Sequence, residues 1–364
     1  KTAYDTNSDA KLIIDMALKL EGLPCNTSKH AAGVIICDRP VVDYIPVART
    51  KDGDLVSQYN MIEVEELGLL KMDFLGLKTL TTINNARLSA SKSAGHEISL
   101  SDIRYDDKKV LDYVGTGNTS GIFQLESKGM QGFMKDLRPR TIEDLIAGIS
   151  LYRPGPMDFI PKYIESKNDP AKVTYESPLL EPILKSTYGC IVYQEQVMEI
   201  FRQLAGYSMG GADEIRRAMS KKKQYVIDEH KKIFINGGDV ENHTTKEIIH
   251  IPGCVSKGIP IEAATNIYDS MADFAKYAFN KSHAACYAII SYQTAWFKYY
   301  YPTEYMAAVI TTFIGDPKKF VKYIAAARRQ DIKILAPDIN KSTNVCEVVG
   351  TSILLPFETI KGVG

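Results

Sequence analysis

The first thing missing from this sequence is net charge. Its 364 residues carry 44 Lys plus Arg against 44 Asp plus Glu. A global basic field is thereby excluded, so any nucleic-acid binding has to come from local clusters. Six cysteines, Cys25, Cys37, Cys190, Cys254, Cys286 and Cys346, are scattered without a C-x-x-C pair. Neither a zinc site nor a disulfide framework is indicated, as expected of a chain kept in a reducing cytosol. There is no signal peptide and no apolar run long enough to span a bilayer, so a cytoplasmic protein without a membrane partner is expected. The phosphate-cradling G-x-x-x-x-G-K-[ST] loop, the G-x-S-x-G nucleophile elbow and a dinucleotide fingerprint after a strand are all absent.

What is present suits a large folded chain. Hydrophobic residues make up 45%, enough for sizeable cores. The length predicts two or three domains. The chain opens on Lys1 rather than Met and stops within Lys361-Gly-Val-Gly364, and it reads as a piece of a larger protein. Ser8 is expected to cap a helix running to about Glu21. Short strands are predicted at Gly33–Cys37, Leu55–Tyr59 and Leu69–Phe74. Beyond Gly76 the texture turns helical, with helices predicted at 77–92, 106–114, 127–136, 142–152, 177–187, 193–206, 211–235, 261–278, 283–300, 303–313 and 317–330. Thr141-Ile-Glu-Asp144 resembles a capping box. Gly237–Gly253 is polar with one β-like run and reads as a surface excursion. Residues 332–364 return to strand-like runs. The fold class is therefore α+β, mainly α.

Four stretches carry candidate chemistry. In Phe279-Asn-Lys-Ser-His-Ala-Ala-Cys-Tyr287, an Asn-Lys-Ser-His cluster stands where a helix begins. Free N–H groups beside a Lys and a Ser suit an anion such as phosphate. Helical spacing puts His283, Tyr287, Ser291, Thr294 and Lys298 on one polar face, with Ala285, Ile289, Tyr292 and Trp296 roughly opposite. The plainer reading is that Ser282 is an N-cap and the rest a solvated face. In Leu70-Lys-Met-Asp-Phe74, strand alternation puts Lys71 and Asp73 on one face. A carboxylate at a strand's end can hold Mg²⁺ beside a phosphate; equally, Asp73 can cap the next helix while Lys71 is solvated. In Gly210–Lys223, Arg217 and Lys221 lie one turn apart with Arg216 adjacent, a pair of guanidiniums suited to a triphosphate or a solvated basic face. In Gly121–Met130, a strand leading to a helix is expected, with Ser127 as cap and Glu126 and Lys128 either lining a site or serving the cap. His30, ahead of the first strand, either faces a cleft or closes a turn.

Together these runs resemble one family, the bacterial replicative DNA polymerase III alpha subunits of the C-family polymerases. The matching runs are Ser28–Gly33, Gly68–Leu77, Phe123–Ser127, Arg153-Pro-Gly-Pro156, Tyr193–Met198, Gly210–Lys222 and Phe279–Tyr292, in the family's order. The pattern is that of the ordinary alpha subunit rather than the long form with an inserted proofreading exonuclease. The resemblance implies a partial palm of polymerase-beta-like nucleotidyltransferase fold followed by a large helical fingers domain. Residues 1–27 correspond to the end of the thumb, 28–80 to the second half of the palm and 81–364 to the fingers, with 239–252 as a surface insertion. It implies two Mg²⁺ ions held by three aspartates, of which Asp73 matches the third, with Lys71 beside it. The upstream Asp-x-Asp pair has no counterpart here, so this piece alone is expected not to polymerise. Arg216 and Arg217 match residues gripping the triphosphate. Asn280, Lys281, Ser282, His283 and Tyr287 match the wall of the nucleotide pocket, and His30, Glu126, Lys128 and Arg153 are candidate cleft-lining residues. The implied partners are primer–template DNA, dNTPs and, in the parent protein, the sliding clamp and other replisome subunits.

Two other readings are open on the residues. A noncatalytic fragment that docks DNA or replisome subunits would tolerate Asn at position 73. A different nucleotidyltransferase on the same palm would not need some 280 helical residues after it.

Overall fold

The computed structural model describes residues 2–23, 28–241, 246–275 and 277–363. Cys25, residues 24–27 of the expected thumb segment and residues 242–245 of the expected excursion lie outside the described residues. The chain is α+β and mainly α, with small sheets before and after a long helical region. It divides into two compact units, Lys1–Leu77 and Lys78–Gly364. No helix among the described residues is long and apolar enough to cross a membrane.

The first unit contains α1 (Thr2–Thr6), α2 (Ser8–Leu20), β1 (Gly33–Ile36), β2 (Val47–Arg49), β3 (Leu55–Ser57), α3 (Met61–Glu66) and β4 (Leu70–Asp73). The cap of α2 is Asn7, not Ser8: its side-chain oxygen accepts from the N–H groups of Asp9 and Ala10 at 2.9 and 3.1 Å. An amide oxygen one residue earlier thus outcompetes the hydroxyl. β1 and β4 pair antiparallel, with Gly33 opposite Asp73 and Ile35 opposite Lys71. β2 and β3 form a second small ladder, of which only β3 was expected. Helix α3 was not anticipated, although Asn60 and Glu63 make a reciprocal capping box at its start. Of the apolar side chains described in this unit, only Ile45 and Val64 are buried.

The second unit runs through α4 (Lys78–Ala94), α5 (Lys108–Gly115), α6 (Lys128–Leu137), α7 (Ile142–Leu151), α8 (Ile160–Asn168), α9 (Glu181–Leu184), α10 (Gln194–Ile200), α11 (Met209–Ser220), α12 (Gln224–Asn236), the hairpin β5 (Gly238–Glu241) and β6 (Ile248–Ile251), α13 (Gly253–Ser256), α14 (Ile261–Ala275), α15 (Lys281–Tyr300), α16 (Pro302–Thr312) and α17 (Pro317–Arg328). It closes with β7 (Lys333–Leu335), β8 (Glu347–Val349) and β9 (Ser352–Leu354), in which β9 lies centrally, parallel to β7 and antiparallel to β8. There are two apolar cores. One is built on α4–α7 and α15–α17. The other is built on α9–α14.

Several boundaries differ from the sequence expectation. The helix expected over 211–235 is two helices. Lys222 adopts φ 54°, the Lys223 N–H reaches the Ala218 carbonyl, and the Lys222 N–H reaches the Met219 carbonyl. This is a Schellman closure with lysine in the place glycine usually takes. The segment 177–187 is three short turns rather than one helix, broken by Pro178 and Pro182. The segment 193–206 is α10 followed by a π turn, Phe201–Ala205. Helix α8, just after the Arg153-Pro-Gly-Pro turn, was not foreseen. The Thr141–Asp144 capping box forms as read, and Ser127 caps α6 by accepting from the Met130 N–H at 3.2 Å. The strand expected at 121–125 is a turn, because Gly121 and Gln124 both lie in the left-handed region, at φ 80° and 62°.

Helix α15 departs most from its reading. Its cap is Asn280, whose side-chain oxygen accepts from the His283 N–H at 2.9 Å; Ser282 is the second residue of the helix. The stripe read as solvated is partly core. Ser291 and Thr294 are fully buried and Lys298 is 3% exposed, whereas Ile289 on the supposedly apolar side is 39% exposed. The Lys298 ammonium donates to the carbonyls of Asn118 and Ser120 at 2.7 and 2.8 Å. Burial pulls it down to about 8, with Arg329 adding to the fall and Glu126 opposing it. Between pH 8 and the ordinary lysine value of 10.5 the unfolded chain therefore holds the proton that the folded chain has released. Stability from this group rises with pH across that window. Measured by urea denaturation, the stability of the wild type relative to Lys298→Met should increase by about 3 kcal/mol from pH 7.5 to 10.5. A flat difference would mean that Lys298 titrates as a free lysine.

Candidate functional site

In the first unit the antiparallel register brings Gly33 opposite Asp73. A Cβ on Gly33 would come within 2.8 Å of both His30 Nδ1 and Lys71 Cε and within 3.0 Å of Asp73 Oδ1. Only the absent side chain lets these three groups converge. His30 Nδ1 lies 2.6 Å from the Gly33 backbone nitrogen, whose N–H it accepts, and stands 3.7 Å from Asp73 Oδ1. The Lys71 ammonium donates to both Asp73 oxygens at 2.7 and 2.9 Å. That hydrogen bond holds the Asp73 carboxyl below the usual carboxylate range, with a smaller contribution from His30. Asp73 caps no helix, because α4 begins only at Lys78, and Lys71 is not a solvated lysine, its side chain being 17% exposed. Tested against a divalent cation, the group fits as one oxygen ligand. Hard cations take about six oxygens, and the described residues contain no group of three or more His, Cys, Asp or Glu that could hold a metal ion.

In the second unit Asp213 organises the arginine pair. Arg216 donates to its Oδ1 through Nε and Nη2 at 3.0 and 2.6 Å, and Arg217 Nε lies 2.7 Å from Oδ2. Burial raises the Asp213 carboxyl, but the two guanidiniums outweigh it and leave it below its ordinary range. The arginines are not equivalent: the Arg216 side chain is 14% exposed and that of Arg217 68%. Arg217 and Lys221 share the wall of a cavity of about 350 Å³ between α11 and α12, together with Tyr207, Tyr225 and His230.

At the start of α15 the anion slot read from the sequence is already filled by a carboxylate. Glu195 accepts the Lys281 N–H at 3.1 and 3.0 Å and the Asn280 amide at 2.9 Å. The Lys281 ammonium pairs with Glu143 Oε2 at 2.9 Å. Asn280 and Lys281 are therefore engaged within the protein, and Ser282 is exposed. His283 and Tyr287 begin an aromatic row. His283 stacks on Tyr287 at 4.3 Å and meets Phe279 edge-on at 5.3 Å, Tyr287 packs on Phe123 at 5.1 Å, and the Arg153 guanidinium lies 3.7 Å over Phe279.

Glu126 and Arg153 line a second cavity, of about 440 Å³, with Phe123, Gln124, Tyr152 and Tyr323 among its walls. The Glu126 carboxylate is also a clamp, accepting from the Lys322 ammonium at 2.9 Å and the Tyr323 hydroxyl at 2.8 Å. Burial pushes it up, and these two donors bring it below its usual range. Lys128 is exposed on the first turn of α6 and lies outside this cavity wall. Asp213, Glu195 and Glu143 were missed by sequence reasoning. Asp213 sits three and four residues before the arginines and could have been found from helical ion-pair spacing. Glu195 is 85 residues from Asn280, and no local pattern announces it.

Both units correspond to described protein families. Residues 1–76 match the family model described as the bacterial DNA polymerase III alpha NTPase domain. Residues 79–242 match that of the bacterial DNA polymerase III alpha subunit finger domain. The DNA polymerase III subunit alpha of Thermus aquaticus is 45% identical over 357 residues, covering 97% of this chain and 28% of that protein. The subunit of Chlamydia trachomatis is 44% identical over 362 residues, 99% of this chain and 28% of the relative. That of Bacillus subtilis is 41% identical over 352 residues, 97% and 30% respectively. The chain thus spans less than a third of the length of these relatives. With two consecutive domain models and these identities along almost its whole length, the chain belongs to the family of bacterial DNA polymerase III alpha subunits.

Proposed function

We propose that this chain is part of the catalytic core of a replicative DNA polymerase, handling dNTPs and primer–template DNA for template-directed 5′–3′ synthesis. The observation that carries the reading is the order of the two domain matches, with Asp73 inside the first and Arg216 and Arg217 inside the second. In this reading 1–27 is the end of the thumb, 28–80 the second half of a polymerase-beta-like palm and 81–364 the fingers, and the sliding clamp and other replisome subunits are partners of the whole polymerase.

The reaction is attack of a primer 3′-hydroxyl on the α-phosphate of a dNTP, with release of pyrophosphate. Bound Mg²⁺ supplies the charge that lowers the hydroxyl's pKa and steadies the leaving group. Asp73 would give the metal one oxygen, and its pairing with Lys71 favours the ionised carboxylate. Lys71 then exchanges a carboxylate oxygen for a phosphate oxygen, both anionic acceptors for its ammonium. Arg217, largely exposed, grips the β- and γ-phosphates, while Arg216 braces it through their shared Asp213. Sequence copying is left to base pairing, and the chain positions the reactants.

In primer extension by the full-length polymerase, Asp73→Asn should lower the rate by about 10³-fold while DNA binding is retained. Extension at wild-type rate would place the reacting centre elsewhere. Arg217→Ala should raise the KM for dNTP about tenfold, the worth of one charge-assisted contact. Asp213→Asn should move KM in the same direction by loosening the geometry that the shared carboxylate imposes on both guanidiniums. Nucleotide kinetics unchanged in both variants would remove the arginines from the triphosphate.

A further inference from the structure

One stripe of α15 changes character along its length. At His283 and Tyr287 it is an aromatic row at the surface; at Ser291, Thr294 and Lys298 it is a buried polar seam. The seam's side chains are directed at the main chain of residues 118–126. The Ser291 hydroxyl is shared between the carbonyls of Phe123 and Tyr287, each 2.9 Å away. Thr294 Oγ1 accepts the Phe123 N–H at 3.2 Å. Lys298 spans the carbonyls of Asn118 and Ser120, and from α16 the Tyr305 hydroxyl donates to the Gly121 carbonyl at 2.6 Å. Facing the ammonium are Glu126 of the loop, Arg329 beyond α17 and the Tyr113 ring of α5, 5.7 Å away.

This outlay has a local effect. Gln124 is a non-glycine residue at φ 62°, a conformation that persists only where the surroundings over-determine it. It is held from both sides. Phe123 has its N–H and its carbonyl bonded to α15, and the Leu125 carbonyl accepts the Thr119 hydroxyl at 2.5 Å. The loop so fixed delivers the Phe123 ring to Tyr287 and forms one wall of the 440 Å³ cavity. Buried ions are costly, and apolar packing would serve stability at least as well. The seam is therefore better accounted for by the shape it imposes.

We propose that Ser291, Thr294 and Lys298 are positioning residues: they set loop 118–126 so that Phe123 and Gln124 complete the nucleotide-facing wall begun by His283 and Tyr287. The inference rests on the polymerase reading and adds residues that do not themselves touch the nucleotide.

The test uses the full-length polymerase with Thr294→Val, Lys298→Met and Lys298→Arg. Hydrogen exchange without nucleotide reads the loop, and steady-state extension reads KM and kcat for dNTP. Thr294→Val, isosteric and without a charge change, should speed exchange of the amides of residues 121–125 about tenfold, with α15 and α16 unchanged. It should raise the KM for dNTP several-fold at nearly constant kcat. Lys298→Met should do the same more strongly, and Lys298→Arg should lie nearer the wild type. If Lys298→Met does not fold, Thr294→Val decides. Unaltered loop exchange overturns the proposal. So does a loosened loop with unchanged KM, which would make the seam a plain structural staple, and so does loss of protection throughout the helical core. Because exchange is read without catalysis, failure here is distinct from failure of the polymerase reading, which the Asp73→Asn assay reports.

Discussion

The second unit depends on how a lysine is satisfied inside a helical core. Lys298 lies among buried residues of α15 and, among the described residues, meets no carboxylate at contact distance; its partners are two backbone carbonyls. An ammonium buried without such partners is costly, and these carbonyls stand in for the water it has lost. The carbonyls must therefore be in place, and that fixes the path of residues 118–120 against α15. From there the constraint spreads: Gly121 to Tyr305, Phe123 to Ser291 and Thr294, and Glu126 to α17 through Lys322 and Tyr323. A loop with two residues in the left-handed region thereby joins helices α15, α16 and α17.

In each unit taken by itself, several of the candidate cations are already paired with a carboxylate of the chain. Lys71 faces Asp73, Arg216 and Arg217 share Asp213, and Lys281 faces Glu143 while its N–H meets Glu195. Pairing holds long side chains in one geometry and lowers the entropy lost when an anion arrives. An anion brought to these cations would have to displace a carboxylate rather than water alone. The exposed Arg217 can make that exchange more easily than Arg216, whose guanidinium is largely enclosed.

The first unit has a different balance. On the face of β4 opposite Lys71 and Asp73, the side chains of Leu70, Met72 and Phe74 are exposed, as are Val34 and Ile36 on β1. Helix α2 exposes Leu12, Ile13, Met16, Leu18 and Leu20. The polar face of the same ladder carries the convergence of His30, Lys71 and Asp73, so strand alternation separates these polar groups from the exposed apolar side chains.

Much of this was legible in the chain. Alternation in Leu70–Phe74 put Lys71 beside Asp73, and the structure keeps them there as a pair. The Thr141–Asp144 box and the Ser127 cap formed as read, because capping is a matter of three or four adjacent residues. The spacing of Asp213, Arg216 and Arg217 was equally local, though its meaning went unread. Tertiary structure decided what local pattern cannot reach. It chose Asn280 over Ser282 as the cap of α15, filled the anion slot with Glu195 from 85 residues away, and turned the polar stripe of α15 inward. Periodicity assigns polar residues to water on the assumption that water is their best partner. Here the unpaired carbonyls and N–H groups of a distant loop were the better partners, and only the folded chain brings them within reach.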